Sequence, residues 1–422
     1  MYKKTTLPNG LRIITVPNKN SQSATVMVLV GVGSKYERKQ ESGISHFVEH
    51  LFFKGTQKRP TAKDIAQDLD KIGGSYNAFT SKEWTGYFAK VDKSHFNLAL
   101  DWVSDIFLNS RLPAKEIEKE RGVIIEEINM TLDAPMRYVG DLWEELLYGN
   151  QPAGWQIIGS KENILNLKRA DFINYINEHY SSRNTVVAVA GNFPQKDIIK
   201  IVGKYFKNIG EDKPKEKIKT IERQAKPETL LYYKPTDQSH LCLGARGFDM
   251  FSEKRFAQEL LAIILGGNMS SRLFLEVREK KGLAYYIHTN DETYTDSGYL
   301  VTQAGAPNDK ADEAVAVILK EYKRIKERGV SPEELKKAKD YFKGALTLSL
   351  EPSDAQAMFF ASQEALSGKI LTAKEKYEKI SKITNKDIQR IAQEIFHPSK
   401  INLALIGPHK NKTRFEKILN NF

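Results

Sequence analysis

The spacing of apolar and polar residues divides the chain into short strands and longer helices. Strand-like runs alternate or are continuously apolar, whereas helical segments repeat their apolar positions every three or four residues. Strands and helices do not alternate strictly, so the pattern favours an α+β fold in which largely antiparallel sheets are covered by helices. The elements predicted in the first half are strands at residues 10–16, 24–32 and 84–89 and helices around 46–50, at 62–72 and at 96–108.

A weak internal repeat relates the two halves of the chain. Residues 171–191 and 387–407, which lie 216 positions apart, each read as a helix, a short polar turn and an apolar strand that ends at glycine. An offset of about half the chain indicates duplication of one domain, and chance likeness between two helix–strand units is the alternative. The predicted organisation is two structurally similar domains: an N-terminal domain at 1–210, a charged linker at 211–227 and a C-terminal domain at 228–422.

The length and charge of the chain indicate how many domains it has and which classes of molecule it binds. A chain of 422 residues is too long for a single hydrophobic core of ordinary size, so two or more domains are expected. The net charge is +11, but lysines are interleaved with glutamates, as in residues 320–328, and the chain has no long basic tract or phosphate-binding loop. Such interleaving is typical of solvated helix faces, so we do not expect nucleic acid to be a partner.

We also expect no membrane partner and a cytoplasmic location. The longest apolar runs, 24–33 and 260–267, are much shorter than a membrane span, and the N-terminus lacks the apolar segment of a secretion signal. Cys242 is the single cysteine, which excludes an intrachain disulfide and agrees with a reducing compartment.

The most informative motif is His46-Phe47-Val48-Glu49-His50. On a helix, His46, Glu49 and His50 share one face. Two neutral imidazoles four residues apart can bind one divalent ion, and a neighbouring carboxylate can take a proton from the water that the ion binds. The motif lies in an otherwise apolar strip, and buried ionisable groups need a partner. A helix that carries these residues without a metal is the alternative.

A catalytic zinc normally has a third protein ligand and one open position. Residues 120–128 read as a helix on which Glu120 and Glu127 share the apolar face with Val123 and Ile124, whereas Glu126 lies about 100° away and is predicted to face water. Glu127 is therefore the predicted ligand, and Glu120 is predicted to orient a histidine. Acidic residues on helices usually face solvent, so the pattern alone leaves this choice open. In the second half, the positions 216 residues after His46, Glu49 and His50 are occupied by Ala262, Leu265 and Gly266. None of these side chains can bind a metal ion.

These features make the chain similar to the pitrilysin family of zinc metallopeptidases, which includes insulin-degrading enzyme and mitochondrial processing peptidase. The resemblance covers nearly the whole chain and rests on the metal motif, on Glu127 at 77 positions beyond His50, and on Glu120-Arg121. It also includes the segments Gly73–Ala78 and Arg278–Tyr285.

The resemblance implies a role for each of these positions. His46, His50 and Glu127 would bind one zinc ion per chain, Glu49 would be the general base, and Glu120 would support the site. The segments further along the chain would handle the peptide: Asn77 and Ala78 on a strand edge, and Arg278 with Tyr285 at the scissile bond. If the resemblance is set aside, Gly73-Gly74 and Asn77 would be interpreted as a turn that leads into a strand. Arg278 and Tyr285 would be interpreted as part of a charged helix followed by a packed aromatic residue.

By the same resemblance, two chains would pair into a closed chamber, with Arg278 and Tyr285 reaching the zinc of the partner chain. The expected function is zinc-dependent endopeptidase activity on unfolded or short peptides. A homodimer would suffice, and a heterodimer with an inactive relative is the alternative assembly. The alternative function is a non-catalytic peptide-binding or assembly subunit of the same fold. A purely structural zinc fits poorly, because such sites usually have four protein ligands, often cysteines.

Overall fold

A computed structural model of the protein describes residues 2–422. Contacts between Cα atoms divide the chain into two compact units, neither of which is continuous in sequence. The first unit contains the residues up to Asn129 together with Trp155–Ile218 and Leu348–Ile370, and the second contains Met130–Gly154, Lys219–Thr347 and Leu371–Phe422.

Eleven strands and fifteen α-helices make up these units within the described residues. The strands are β1 (Lys3–Thr6), β2 (Arg12–Pro17), β3 (Ser23–Val30), β4 (Ser75–Thr80), β5 (Thr85–Asp92), β6 (Thr185–Gly191), β7 (Glu228–Tyr233), β8 (Gln238–Arg246), β9 (Tyr286–Thr293), β10 (Gly298–Pro307) and β11 (Ile401–Gly407). The helices are α1 (Ile44–Leu51), α2 (Ala62–Asp70), α3 (Phe96–Asn109), α4 (Ala114–Asp133), α5 (Pro135–Tyr148), α6 (Lys161–Asn166), α7 (Arg169–His179), α8 (Ile198–Tyr205), α9 (Arg255–Gly266), α10 (Ala311–Arg328), α11 (Pro332–Ser349), α12 (Ser353–Ser367), α13 (Ala373–Ser381), α14 (Asn385–Ile395) and α15 (Thr413–Asn420).

The first unit is built on a six-stranded sheet in the order β1-β2-β6-β3-β5-β4. Only β2 and β6 run parallel, and the other neighbours are antiparallel. The central strands β3 and β6 are buried on both faces because their sequences are almost continuously apolar. On one face, Met27 and Ala188 pack with Ala357 and Ala361 of α12, whose small side chains allow the helix to lie close to the sheet.

The second unit repeats this design. Its five strands lie in the order β7-β11-β8-β10-β9, which corresponds strand for strand to β2-β6-β3-β5-β4, and again only the first pair is parallel. The strands β7 and β11 begin 216 residues after β2 and β6, which is the offset predicted from the repeat. The prediction of an α+β fold with two similar, largely antiparallel domains is therefore confirmed.

The two compact units differ from the predicted ranges 1–210 and 228–422 in the placement of two helices. Helix α5 comes from the first half of the chain but belongs to the second unit, where Val139 and Trp143 pack with Cys242 and Ala404 of that sheet. Helix α12 comes from the second half and belongs to the first unit. The physical reason is that each sheet has an apolar face that a helix must cover, and sequence order does not decide which half supplies it. Between α8 and β7, where the linker at 211–227 was predicted, the chain forms neither helix nor strand.

No helix within residues 2–422 combines the length and the apolar character needed to cross a bilayer. Cys242 is buried in β8.

Candidate metal centre and active site

Helix α1 carries the H-x-x-E-H motif and is fixed at its first turn. Phe47, Val48 and Leu51 are fully buried, whereas the two histidines and Glu49 are partly exposed. Gly43 precedes the helix with a φ of 102°, and a Cβ atom there would lie 2.7 Å from a backbone oxygen of the loop at residue 158. Only glycine adopts this conformation at no steric cost, so the chain can turn sharply into the helix.

A buried carboxylate holds the N-terminus of α1. Glu37 accepts hydrogen bonds from the backbone N–H of Gly43 (2.8 Å) and of Ser45 (2.9 Å). These are backbone donors that a helix leaves without intrahelical partners. Burial raises the pKa of Glu37 to about 7, against the opposing effect of its hydrogen bonds with Ser45 and Gly43.

Helix α4 places a carboxylate opposite the two histidines. The Oε2 atom of Glu127 lies 3.7 Å from Nε2 of His46 and 3.7 Å from Nε2 of His50. Among the described residues, these three form the one group of at least three His, Cys, Asp or Glu side chains able to hold a metal ion, with all ligand atoms within 4.8 Å of one another.

These separations fit a metal ion better than a hydrogen-bonded cluster. A distance of 3.7 Å is too long for a hydrogen bond. Two ligands of a tetrahedral zinc with bonds of about 2.1 Å stand roughly 3.4 Å apart. Burial, and next the neighbouring His50, lower the pKa of His46 to about 3, so the His46 ring is neutral at neutral pH, as a metal ligand must be. The donor set therefore suits zinc.

Glu120, two turns before Glu127, supports the second histidine. Its Oε1 lies 2.8 Å from Nδ1 of His50, and its Oε2 accepts a hydrogen bond from Lys54 at 2.6 Å. Glu120 is only 5% exposed. Burial opposes ionisation of Glu120, but the hydrogen bonds with His50 and Lys54 together outweigh it, and the pKa of Glu120 is lowered. The carboxylate therefore binds the Nδ1–H of His50 and leaves Nε2 to face Glu127.

Lys54 was not predicted from the sequence. It lies four residues after His50, just beyond the end of α1, and its spacing from this candidate ligand is the one signal that points to it. The exposure of two neighbours on α4 was predicted with mixed success: Glu126 is exposed as expected, but Val123, assigned to the apolar face, is 51% exposed.

Glu49 lies on the same face of α1 as the histidines. Its Oε2 accepts a hydrogen bond of 2.5 Å from the hydroxyl of Thr80, the last residue of β4. Burial raises the pKa of Glu49, and the Thr80 hydrogen bond opposes that change. A carboxylate with a raised pKa is a stronger base than one in water, which suits proton transfer. Thr80 was also absent from the predicted site.

The predicted peptide-binding residues Asn77 and Ala78 lie on β4, an edge strand of the first sheet. The strand pairs only with β5, so its other side has no strand partner in the sheet. Asn77 is exposed and Ala78 is buried, and the Ala78 N–H donates to the side-chain oxygen of Asn77 (2.9 Å). The β4 edge is thus of the kind that accepts an added strand.

Arg278 and Tyr285 lie in the second unit. Arg278 belongs to a π-helical segment at Phe274–Lys280, where its guanidinium lies 4.7 Å from the centre of the Phe274 ring and 5.9 Å from that of Tyr285. Tyr285 is 75% exposed, so it is not the packed aromatic residue of the alternative interpretation. An exposed tyrosine next to an arginine can donate hydrogen bonds to a ligand.

The second unit has no space for a histidine at Gly266, the position equivalent to His50 at the offset of 216 residues. Gly266 ends α9 against β9, and a Cβ atom on it would lie 2.4 Å from the backbone nitrogen of Thr289. The equivalents of the other two motif positions, Ala262 and Leu265, are buried and apolar. The second half therefore has the equivalent helix but lacks the candidate metal ligands.

Comparison with known proteins agrees with this division. Residues 12–161 match the family described as Insulinase (Peptidase family M16), and residues 166–342 match the one described as Peptidase M16 inactive domain. A relative from Bacillus subtilis, named uncharacterized zinc protease YmxG, is 37% identical over 412 residues, covering 97% of this chain and 99% of the relative.

The chain belongs to peptidase family M16.

Other similar proteins are consistent with this M16 assignment, which confirms the resemblance to pitrilysin-type peptidases. An uncharacterized zinc protease of Streptomyces coelicolor is 33% identical over 97% of this M16 chain and 90% of its own length. Among solved structures, a protease from Helicobacter pylori superposes with a TM-score of 0.91 at 25% identity, covering 97% of this chain and 99% of that one. A Pseudomonas fluorescens structure described as a peptidase M16 inactive domain has a TM-score of 0.88 at 17% identity, over 97% and 98% of the two chains, and shows the fold alone.

Proposed function

We propose that this M16 chain is a zinc-dependent endopeptidase that hydrolyses unfolded or short peptides. The observation that carries the proposal is the group formed by His46, His50 and Glu127, with Glu49 on the same helix face as the two histidines. Three ligands with a base beside them are what a catalytic zinc site needs, whereas a structural site would fill all four positions with protein ligands. The relatives named zinc proteases support the same conclusion.

Each side chain would have a separate task. Zinc, when bound, would activate a water molecule and polarise the scissile carbonyl. Glu49 would accept the proton that the attacking water loses and deliver it to the leaving amine. Glu120 would hold the Nδ1–H of His50, which keeps the lone pair of Nε2 available for the metal.

The open edge of β4 supports a substrate of extended conformation. A peptide added to this edge at Asn77 and Ala78 would be held mainly through its backbone, so many sequences would bind provided that they are unfolded. In the proposed enzyme Arg278 binds the peptide and Tyr285 donates to the oxyanion, as in the family that the chain resembles.

The proposed assembly is a chamber formed by two chains, in which Arg278 and Tyr285 of one chain complete the site of the other. A homodimer suffices because one chain carries both the metal motif and this pair. A heterodimer with an inactive relative remains the alternative. The buried single cysteine supports a reducing, cytoplasmic location.

Metal analysis combined with a quenched-peptide assay tests the proposed function. We expect purified protein to contain zinc, to cleave unfolded peptides, and to lose this activity on chelation. Glu49→Gln should retain zinc and lose about 10²–10⁴-fold in kcat, which is the usual contribution of a general base. A zinc-loaded chain that binds peptides without cleaving them, and that Glu49→Gln does not alter, would favour the non-catalytic subunit instead.

A further inference from the structure

The contact between Thr80 and Glu49 joins two elements with different tasks. Glu49 lies on the metal-binding helix, and Thr80 ends the edge strand that is proposed to bind the peptide. The Thr80 hydroxyl donates to Oε2 of Glu49 at 2.5 Å. This bond restrains Oε2 of the carboxylate, and Oε1 is not bonded to Thr80.

The backbone around Thr80 is itself fixed. Thr80 pairs with Thr85 at the closing position of the β4–β5 hairpin. The turn that follows is bonded to a short segment of chain at residues 33–37: Ser34 N–H donates to the oxygen of Ser81 (3.2 Å), and Lys35 N–H donates to that of Lys82 (2.8 Å).

Gly33 makes this approach possible. A Cβ atom at residue 33 would lie 2.1 Å from the backbone oxygen of Ser81, so any larger residue would push the turn away. The contact also includes a buried ion pair, because Lys35 Nζ lies 3.0 Å from a carboxylate oxygen of Glu83 and both side chains are almost completely enclosed. Glu83 also lies 3.0 Å from Nζ of Lys217, so two lysines hold this carboxylate and, through it, the turn.

The same short segment also fixes the metal-binding helix. Glu37, its last residue, accepts the two backbone hydrogen bonds from the start of α1. Residues 33–37, which we name the alignment segment, therefore hold the helix that carries Glu49 at one end and the turn that follows Thr80 at the other.

From this geometry we infer that Thr80 is a positioning residue for Glu49, and that the alignment segment sets the distance between them. The inference rests on the proposed function and adds to it a residue that acts on the proposed base through one hydrogen bond. A carboxylate on a flexible side chain samples several rotamers, and a hydrogen bond from a fixed strand selects one. Thr80 would thus align the base with a peptide bound along its own strand.

Replacing Thr80 with valine tests this role, because valine keeps the shape of the side chain and removes the donor. We expect Thr80→Val to lower kcat by about 10–100-fold, the usual effect of losing a residue that orients an active-site group, with KM and the zinc dissociation constant unchanged. Thr80→Ser retains the hydroxyl and should recover most of the lost kcat. Crystal structures of metal-free Thr80→Val and parent protein should show the Glu49 side chain in different rotamers.

A matched control is available in the same sheet. The Thr25 hydroxyl is buried and bonds to Ser353 at 2.8 Å, and no hydrogen bond joins it to a residue of the proposed site. Thr25→Val should therefore leave kcat unchanged even where it lowers the stability of the fold. Zinc affinity is measured for every variant by competition with a chromogenic chelator, so that loss of metal is separated from loss of alignment.

The results separate this inference from the proposed function. Normal kcat in zinc-loaded Thr80→Val, an equal loss in Thr80→Ser, or a loss confined to KM would overturn the role of Thr80 while leaving the peptidase intact. If the zinc-loaded parent protein has no peptidase activity, the proposed function fails, and the role of Thr80 in catalysis fails with it.

Discussion

The hydrogen-bonded chain from His50 through Glu120 to Lys54 gives a sharp prediction about zinc affinity. Lys54→Met removes the ammonium group and keeps most of the apolar stem. Glu120 would then retain one partner, His50, in a position where the carboxylate is 5% exposed. A less well compensated carboxylate is held less firmly, so the His50 ring is oriented less firmly for the metal.

The magnitude follows from the geometry. The bond between Lys54 and Glu120 is 2.6 Å long, and the two side chains are 21% and 6% exposed. Hydrogen bonds to charged groups contribute about 1.5–3 kcal/mol when buried. Because Lys54 acts on the metal only through Glu120, we expect about half of this to reach the zinc site, which corresponds to a roughly 3- to 10-fold rise in the zinc dissociation constant.

The assay is competition for zinc between the protein and a chelator of known affinity, at fixed pH and ionic strength. Lys58→Met is the matched control, because Lys58 also bonds to a carboxylate, that of Asp101 (2.5 Å), but is 58% exposed and has no hydrogen bond to the proposed metal ligands. Surface pairs of this kind contribute about 0–1 kcal/mol, so zinc affinity should not change. Glu120→Gln is the positive control and should weaken zinc binding by about 10–100-fold. If Lys54→Met binds zinc as tightly as the parent while Glu120→Gln does not, Lys54 has no part in orienting His50.

Three further predictions concern pH, assembly and packing. Because burial raises the pKa of Glu37 to about 7, its stabilising effect should be complete below about pH 4 and be lost as the pH rises through 7, a change of about 3 kcal/mol in the free energy of unfolding; urea unfolding should show the parent's advantage over Glu37→Gln shrinking over that range, and a constant difference would contradict this. Mixed dimers of Glu49→Gln with Arg278→Ala/Tyr285→Phe chains should recover part of the peptidase activity, whereas verified mixed dimers without any recovery would argue against a shared site. Gly266→Ala should lower the unfolding free energy by about 1–3 kcal/mol, because its Cβ atom would meet a backbone nitrogen at 2.4 Å, and an unchanged urea midpoint would show that α9 can move away from β9.

Much of the fold could be predicted because it depends on local patterns. The continuously apolar run of β3 and the helix–strand unit repeated at β6 and β11 follow from residues close together in sequence. The exchange of α5 and α12 between the two units could not be predicted in this way. An amphipathic helix shows which of its faces is buried but not which sheet buries it.

In the candidate site, too, local patterns could be predicted from the sequence and long-range contacts could not. The H-x-x-E-H spacing is local, and the group that it forms with Glu127 lies where the periodicity of α4 indicates. Lys54 and Thr80 contribute through contacts that span 66 and 31 positions of sequence, with no motif that joins them to Glu120 and Glu49. Only the folded backbone brings these pairs together. Val123 illustrates the opposite error, because its apolar side chain matched the period of the helix and yet is 51% exposed.

The proposed function requires that two imidazoles and one carboxylate of the first unit bind a single catalytic metal ion. Its most direct test is elemental analysis of the folded parent protein beside Glu127→Gln, after both are loaded with zinc and desalted. We expect one zinc ion per parent chain and a large loss of zinc in the variant, with circular dichroism showing that both proteins are folded. A folded parent protein without zinc, or a variant that retains zinc as firmly as the parent, would contradict it.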